Sequence, residues 1–372
     1  MTGISLLGFG CMRFPLVAGK IDEKEAEKML DAAYAGGVNY FDTAWIYHDG
    51  KSEAFTGRVL SKYPRDSWYV ADKLPCWQVK KSEDVREIFE EQLKRLGTGY
   101  IDFYLLHALN RGSWAKMEEL GAWDICRQLQ EEGKIRYLGF SFHDEYEAFD
   151  TIIRAKPWDF CQIQYNYMDV EEQAGRKGYE LAESLGIPVI IMEPVKGGSL
   201  AGLPSSVMAP LEELDPSATQ VSWAFRWLAA HEGIKCILSG MSTMEQVRQN
   251  IELFSDIQPL SAQELGALDE VIKRLESRVK SPCTGCSYCM PCPHGVDIPR
   301  NFKQWNYWGM FENAGDARWQ WHNAEFASAR ADKCTSCGAC VSHCPQHIPI
   351  PQDLERMTAE MNAIKRVSGK KK

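Results

Sequence analysis

With 372 residues, 45% of them apolar and 25% charged, the chain has room for one barrel of about 250 residues plus a smaller module. A formal net charge of −9 argues against a polyanionic nucleic-acid partner, and no stretch reaches the roughly 18 consecutive apolar residues that read as a membrane span. The opening "MTGISLLGFGCMRFP" has neither the long apolar core nor the small-residue cleavage site of an export signal, so a cytoplasmic protein is expected, with no nucleic acid and no membrane as partner.

From residue 4 to about residue 260, short apolar runs alternate with amphipathic stretches: "ISLLGFG", "VNYFDTA", "WYVADK", "IDFYLLH", "IRYLGFS", "FCQIQYN", "IPVIIMEP" and "IKCILSG". Eight strands alternating with helices predict an α/β fold, a closed parallel (β/α)8 barrel; a doubly wound open sheet has the same periodicity. The helix predicted over residues 21–35 takes Asp22 as N-cap, places Ala26, Met29, Leu30 and Ala33 on one face, and stops at Gly36-Gly37. A second, over residues 82–96, is closed by Gly97. The barrel domain is expected over residues 1–260, a connecting helix over 261–280, and a separate domain over 281–372. In that last part the aromatic-rich "NFKQWNYWGMFENAGDARWQWHNAEF" reads as one or two packing helices or as an exposed docking surface. The terminal "KRVSGKKK" reads as a solvated basic tail.

Catalytic groups of such barrels come from the C-terminal ends of several strands. Asp42 ends one predicted strand, Lys73 the next and His107 the one after, and Tyr47 follows Asp42 by five residues. Each alone has an ordinary structural explanation: strand-end cap, surface charge, satisfied core histidine, packing tyrosine. Together they compose a proton-transfer site, in which a buried ammonium favours the phenolate and a carboxylate keeps that ammonium charged. Met12, Trp45 and Trp77 follow the first three strands and are candidates for an apolar mouth. Arg13 is a candidate for a substrate carboxylate or for a structural ion pair.

The sequence here resembles the aldo-keto reductases, through "GVNYFDTAWIY", "ADKLP", "YIDFYLLH", "GKIRYLGFS", "QIQYN" and "ILSGMSTMEQVRQNI". The resemblance implies a TIM barrel that binds NAD(H) or NADP(H) and interconverts a small-molecule carbonyl and an alcohol. It implies Tyr47 as general acid, Lys73 lowering its pKa, Asp42 paired to Lys73, and His107 orienting the carbonyl. It further implies Ser141 and Gln162 on the carboxamide, with Gly240, Ser242 and Asn250 near the cofactor's phosphates and adenine. The chain departs from the family's pattern at Phe142, where many members have asparagine, and at Met192, where they stack a tyrosine on the nicotinamide. Gly240 and Gln246 stand where NADPH-specific members place lysine and arginine, which leaves only Arg248 for a 2'-phosphate.

Of 13 cysteines, Cys11, Cys76, Cys126, Cys161 and Cys236 are scattered and the rest fall in two blocks, a distribution suited to metal binding in a reducing compartment rather than to disulfides. The second block, Cys334-x2-Cys337-x2-Cys340-x3-Cys344-Pro, is the bacterial ferredoxin ligand run for a 4Fe-4S cluster. The first, Cys283-x2-Cys286-x2-Cys289-x2-Cys292-Pro, is one residue shorter. Because the fourth cysteine of such a run ligates the other cluster, two 4Fe-4S clusters are expected, one on Cys283, Cys286, Cys289 and Cys344 and one on Cys334, Cys337, Cys340 and Cys292. Zinc is the alternative, although its sites favour two separated pairs. The whole chain resembles the aldo-keto reductase branch with a C-terminal ferredoxin-like domain, down to "GVDIP" and "CPQHIPIPQDL". Hydride moves electrons in pairs and a 4Fe-4S cluster moves one, which ordinarily calls for a flavin between them. An enzyme exchanging electrons with a protein partner, with or without a flavin, and a non-catalytic redox sensor are the rival readings.

Overall fold

The computed structural model describes residues 3–364, so the basic tail "KRVSGKKK" lies outside the described residues. Eight strands run in parallel: β1 (Leu7–Gly10), β2 (Tyr40–Asp42), β3 (Tyr69–Leu74), β4 (Ile101–Leu109), β5 (Ile135–Phe142), β6 (Phe160–Gln164), β7 (Val189–Met192) and β8 (Ile234–Ser239). Each pairs with its neighbours in chain order and β8 closes on β1, which makes the sheet a closed barrel and removes the open doubly wound alternative. All eight apolar runs became strands. Inward-facing Tyr40, Phe103, Leu105, Phe160, Ile190 and Leu238 fill the barrel with side chains rather than leaving a pore. Close packing there leaves no space at Gly8, where a Cβ would stand 2.6 Å from Cys236 Sγ.

The helices follow their local signals. Glu23–Ala35 starts where the Asp22 side chain accepts from the Glu25 N–H, buries Ala26, Met29, Leu30 and Ala33, and ends at Gly36. Ser82–Leu96 ends at Gly97, whose φ of 65° is the left-handed cap that glycine adopts without a Cβ penalty. A short hairpin, Leu16–Val17 with Lys20–Ile21, follows β1.

Helix Ser52–Leu60 packs on Ser82–Leu96 at Gly57, where a Cβ would lie 2.0 Å from the carbonyl oxygen of Leu96. Backbone cannot yield as a flexible side chain does. Gly57→Ala is therefore expected to destabilise by about 1–3 kcal/mol through overpacking, against the gain of under about 1 kcal/mol that alanine gives an unobstructed helix. A denaturation midpoint at or above that of wild type would contradict this.

The chain divides into two compact units. One runs to Gly197 and takes in Ser222–Leu260; the other combines Gly198–Val221 with the chain from Ser261 onward. Composition alone does not set Gly198–Val221 apart from the barrel. In the second unit, helix Ser205–Glu212 packs on Ala262–Glu276, which opens with a reciprocal Ser261–Glu264 cap. The aromatic stretch forms helices Ile298–Phe311 and Ala314–His322 and meets helix Ile350–Ala363. Its aromatics are divided in use. Trp305 and Trp321 are fully buried, their indole N–H groups donating to Glu360 and Asn362 at 2.9 Å each, whereas Trp319 is 65% exposed. Among the described residues no helix is long and apolar enough to cross a membrane.

Candidate functional site

The C-terminal ends of β2, β3 and β4 bring four of the predicted residues together. Lys73 is buried, and its Nζ donates to Asp42 Oδ1 at 2.6 Å and to the Thr43 carbonyl at 2.6 Å, with the Tyr47 hydroxyl 3.4 Å away. Tyr47 reaches this position on a tight turn after β2, in which its N–H donates to the Ala44 carbonyl and its own carbonyl accepts from Ser52 N. Ser52 also braces the loop through side-chain bonds to Thr43 and to the Cys11 carbonyl. The His107 ring lies 6.4 Å from the Tyr47 ring and 5.1 Å from that of Trp77, with a buried Nδ1 that has no protein partner.

Burial dominates the electrostatics. It pulls the Lys73 ammonium down, but Asp42, Tyr47 and Asp72 outweigh it, so the net direction is up and the lysine stays charged. Burial pushes the Tyr47 phenol up; Lys73 pulls it back in the expected direction without overcoming burial. Asp42 is raised by burial against the opposing pull of Lys73. His107 falls well below the ordinary imidazole range through burial and then the Lys73 charge, which leaves a neutral ring. The site holds a fixed cation beside a protonated phenol and a neutral imidazole, an arrangement that can deliver a proton to an oxygen on which negative charge develops.

Ser141 on β5 and Gln162 on β6 are register partners and both are buried. The Ser141 hydroxyl accepts from Ala108 N at 2.8 Å and keeps its own proton to give, while Gln162 Oε1 is buried with no protein partner. One free donor and one free acceptor side by side suit a carboxamide, so these residues fit a nicotinamide. Phe142 turns into the core against Phe149, and Met192 is half-buried at the end of β7. Gly240 lies under Arg13, whose Cδ would be 2.8 Å from a Cβ there. Ser242 donates through its hydroxyl to the Arg13 carbonyl and through its N–H to Gln246 Oε1 at 2.7 Å. Asn250 is buried and donates to Ser239. Gln246 is thus occupied closing the N-terminus of its own helix, Met244–Ser255.

Of the candidate mouth residues, Met12 and Trp77 are exposed, while the Trp45 ring is covered by the Arg95 guanidinium at 3.6 Å. Arg13 is 3.9 Å from Glu193, the ion pair rather than a free cation. Several supporting residues escaped the sequence reading: Thr43, which acts through its main-chain carbonyl and so leaves no residue-type signal, and Glu53, Asp72 and Gln92, all fully buried behind Lys73. An acid directly before the strand-end lysine, in a strand otherwise apolar on that face, was the available clue for Asp72.

In the second unit, Cys283, Cys286, Cys289 and Cys344 line one cavity together with Ile298, Phe302, Ile348 and Ile350. Three come from the first block and the fourth from the second. Burial raises the Cys340 thiol, as do the nearby Cys334, Cys292 and Cys337, and Cys340 in turn acts on Cys289, so the two sets of thiols adjoin. Among the described residues no three His, Cys, Asp or Glu side chains converge tightly enough for a lone metal ion. Four thiols drawn from both blocks around one apolar cavity fit a sulfide-bridged cluster.

The aldo/keto reductase family profile matches residues 6–273, and a 4Fe-4S dicluster domain profile matches residues 282–348. A probable aldo-keto reductase of Glycine max is 32% identical over 214 residues, covering 54% of this chain and only 58% of the relative's own length. The NADH-specific methylglyoxal reductase of Escherichia coli is 26% identical over 295 residues, 67% of this chain and 89% of the relative. Among solved structures, an aldo-keto reductase of Bacillus halodurans in its holo form superposes with a TM-score of 0.61 at 25% identity, over 72% of this chain and 92% of that one. A profile spanning most of the chain and a closed eight-stranded barrel lead to one conclusion: the chain belongs to the aldo/keto reductase family of oxidoreductases and carries a 4Fe-4S domain C-terminal to its barrel in sequence.

Proposed function

We propose that the barrel interconverts a small-molecule carbonyl and an alcohol with NAD(H) or NADP(H), and that the C-terminal domain holds two 4Fe-4S clusters. The observation that carries the first part is the buried Asp42–Lys73–Tyr47 line beside a neutral His107. When bound, the nicotinamide supplies or accepts the hydride. Tyr47 protonates the carbonyl oxygen, or takes the proton back from the alcohol. Lys73, held by Asp42 and the Thr43 carbonyl, stabilises the phenolate left behind. His107 orients the oxygen as a neutral hydrogen-bond donor. Ser141 and Gln162 would hold the carboxamide, while Gly240, Ser242 and Asn250 would border the phosphates and adenine. By sequence the barrel domain is assigned to residues 1–260, the connecting helix to 261–280 and the cluster domain to 281–372, while by packing Gly198–Val221 groups with the chain from Ser261 onward.

Transfer of deuterium from 4-deuterated NADH or NADPH to the carbinol carbon of a reduced carbonyl substrate tests the reading. Cofactor that binds but never delivers its label to any member of a broad carbonyl panel would overturn it. The iron–sulfur domain favours a second reading, in which electrons leave singly for a protein partner. Anaerobic addition of NADH separates the two, because bleaching of the cluster absorption, or a bound flavin, belongs only to the second.

Cofactor choice gives a further expectation. A 2'-phosphate is best held by paired cations, and here Gln246 is committed to Ser242 while Gly240 offers no side chain. NADPH is therefore expected to have no large advantage over NADH, in keeping with the NADH-specific bacterial relative. Titrating both against tryptophan fluorescence checks this; NADPH tighter by about 100-fold, or about 2.7 kcal/mol, would contradict it.

A further inference from the structure

Strand alternation puts Lys73 and Asp72 on opposite faces of β3. Lys73 enters the candidate site, while Asp72 faces the helices Ser52–Leu60 and Ser82–Leu96, which present Glu53 and Gln92. All three polar residues behind the lysine are fully buried, an arrangement costly enough to require an account of every donor and acceptor.

Most of them are matched. Glu53 accepts from Arg95 Nη1 at 2.8 Å through one oxygen and from Gln92 Nε2 at 3.2 Å through the other. Gln92 Nε2 also donates to the Lys73 carbonyl at 3.0 Å, and Gln92 Oε1 accepts from the Tyr104 hydroxyl at 2.7 Å. Tyr104 is the register partner of Asp72 on β4. Asp72 Oδ1 accepts from Lys73 N at 2.8 Å. One atom is left over: Asp72 Oδ2 has no donor, although the Asp72 side chain lies in hydrogen-bonding reach of Glu53.

Two carboxylates facing each other without a proton would combine like-charge repulsion with an unsatisfied buried acceptor, and a single shared proton removes both penalties. Glu53 already has donors on both oxygens, including the guanidinium, so the proton belongs on Asp72. We propose that Asp72 and Glu53 form a buried carboxylic acid–carboxylate pair, Asp72 donating to Glu53, and that with Gln92 this pair is the positioning element for Lys73. The consequence is geometric. Asp72 fixes the peptide N–H of Lys73 and Gln92 fixes its carbonyl, so the main chain carrying the ammonium is held on both sides by side chains outside the barrel interior. In support, burial and then the Glu53 charge push the Asp72 carboxyl well above its ordinary range. The other charges facing the pair are Arg95, which holds Glu53, and Lys73 itself, whose weaker pull on Asp72 acts in the opposite direction.

The positioning role rests on the proton-transfer reading given above; the shared proton does not, and the experiment keeps them apart. Infrared difference spectra of the full-length, anaerobically prepared protein at neutral pH, wild type minus Asp72→Asn, are expected to show one buried carboxylic-acid carbonyl band that shifts on deuteration. The amide of asparagine keeps a donor towards Glu53 and an acceptor for Lys73 N, so the variant retains the network. Glu53→Gln should remove the same band, since an amide donor then faces an ionised Asp72. A band absent from both differences overturns the shared proton whatever the enzyme reduces. For positioning, Asp72→Asn is expected to keep carbonyl turnover within about threefold, while Asp72→Leu lowers kcat by about tenfold or more with little change in cofactor KM. Equal turnover in Asp72→Leu and wild type would overturn the positioning role, whereas an acid band in a protein that reduces no carbonyl would leave the pair standing and sink the reductase reading instead.

Discussion

Tyr47→Phe is expected to lower carbonyl reduction by about 100-fold to 10,000-fold, the range supplied by a well-placed general acid. The substitution removes one oxygen. That oxygen is 3.4 Å from Lys73 Nζ, and Lys73 keeps its shorter bonds to Asp42 and to the Thr43 carbonyl in its absence. The lysine is left charged and paired, so the fold has no reason to change. Because the proposed carboxamide partners, Ser141 and Gln162, stand on β5 and β6, cofactor affinity is expected to move by less than about threefold. The kinetic loss should therefore fall on kcat and kcat/KM together, as it does when an interaction made only in the transition state is removed. The phenol is pushed above its ordinary value of about 10 by burial. It stays protonated through neutral pH, and the reductive rate should be flat there and fall only on the alkaline side. A variant that retains more than about a tenth of wild-type activity would show that another group provides the proton.

The barrel was legible because its signals are local and repeated. Each strand is an apolar run bounded by turn residues, and caps such as Asp22 and Gly97 act within a few residues of the helices they start or stop. The quartet of Asp42, Tyr47, Lys73 and His107 was legible for a related reason: in a parallel barrel, chain position at a strand end fixes spatial position at one face. What escaped depends on contacts between elements. Nothing near Glu53 announces that it meets Asp72 from a neighbouring helix, and an acid in an amphipathic helix ordinarily reads as a solvated position. Gly198–Val221 escaped likewise, because its grouping with the later chain rests on packing such as that between Ser205–Glu212 and Ala262–Glu276 and on the Ser199–Tyr307 hydroxyl contact. The phenol was anticipated in part. Charge proximity is visible in sequence order, but the extent of burial that opposes it is not.

The cysteine blocks allow an experiment whose outcomes differ by whole clusters. If each block ligated its own cluster, Cys337 and Cys344 would serve the same centre, and the Cys337→Ala/Cys344→Ala double variant would keep the other centre with about four irons. The crossed arrangement expects something else. Cys344 lines the cavity with Cys283, Cys286 and Cys289, while Cys334, Cys292 and Cys337 are among the groups acting on Cys340, from which we propose the second set. Each single variant should then fall from about eight irons towards four, with a different centre surviving in each, and the double variant should lose nearly all its iron. Electron paramagnetic resonance of the reduced single variants identifies the survivor. Since the first site is walled by Ile298, Phe302, Ile348 and Ile350, its spectrum and potential should reflect that apolar lining, and the Cys344→Ala variant should lack those features while Cys337→Ala keeps them. About four irons in the double variant would refute crossed ligation, and wild-type protein reconstituted without oxygen that binds only zinc would refute the clusters themselves. If both clusters form and carbonyl reduction continues unchanged after either is lost, that cluster lies outside the electron path of the reaction at Tyr47. Its service to the protein is then structural, or directed to a partner that takes electrons one at a time.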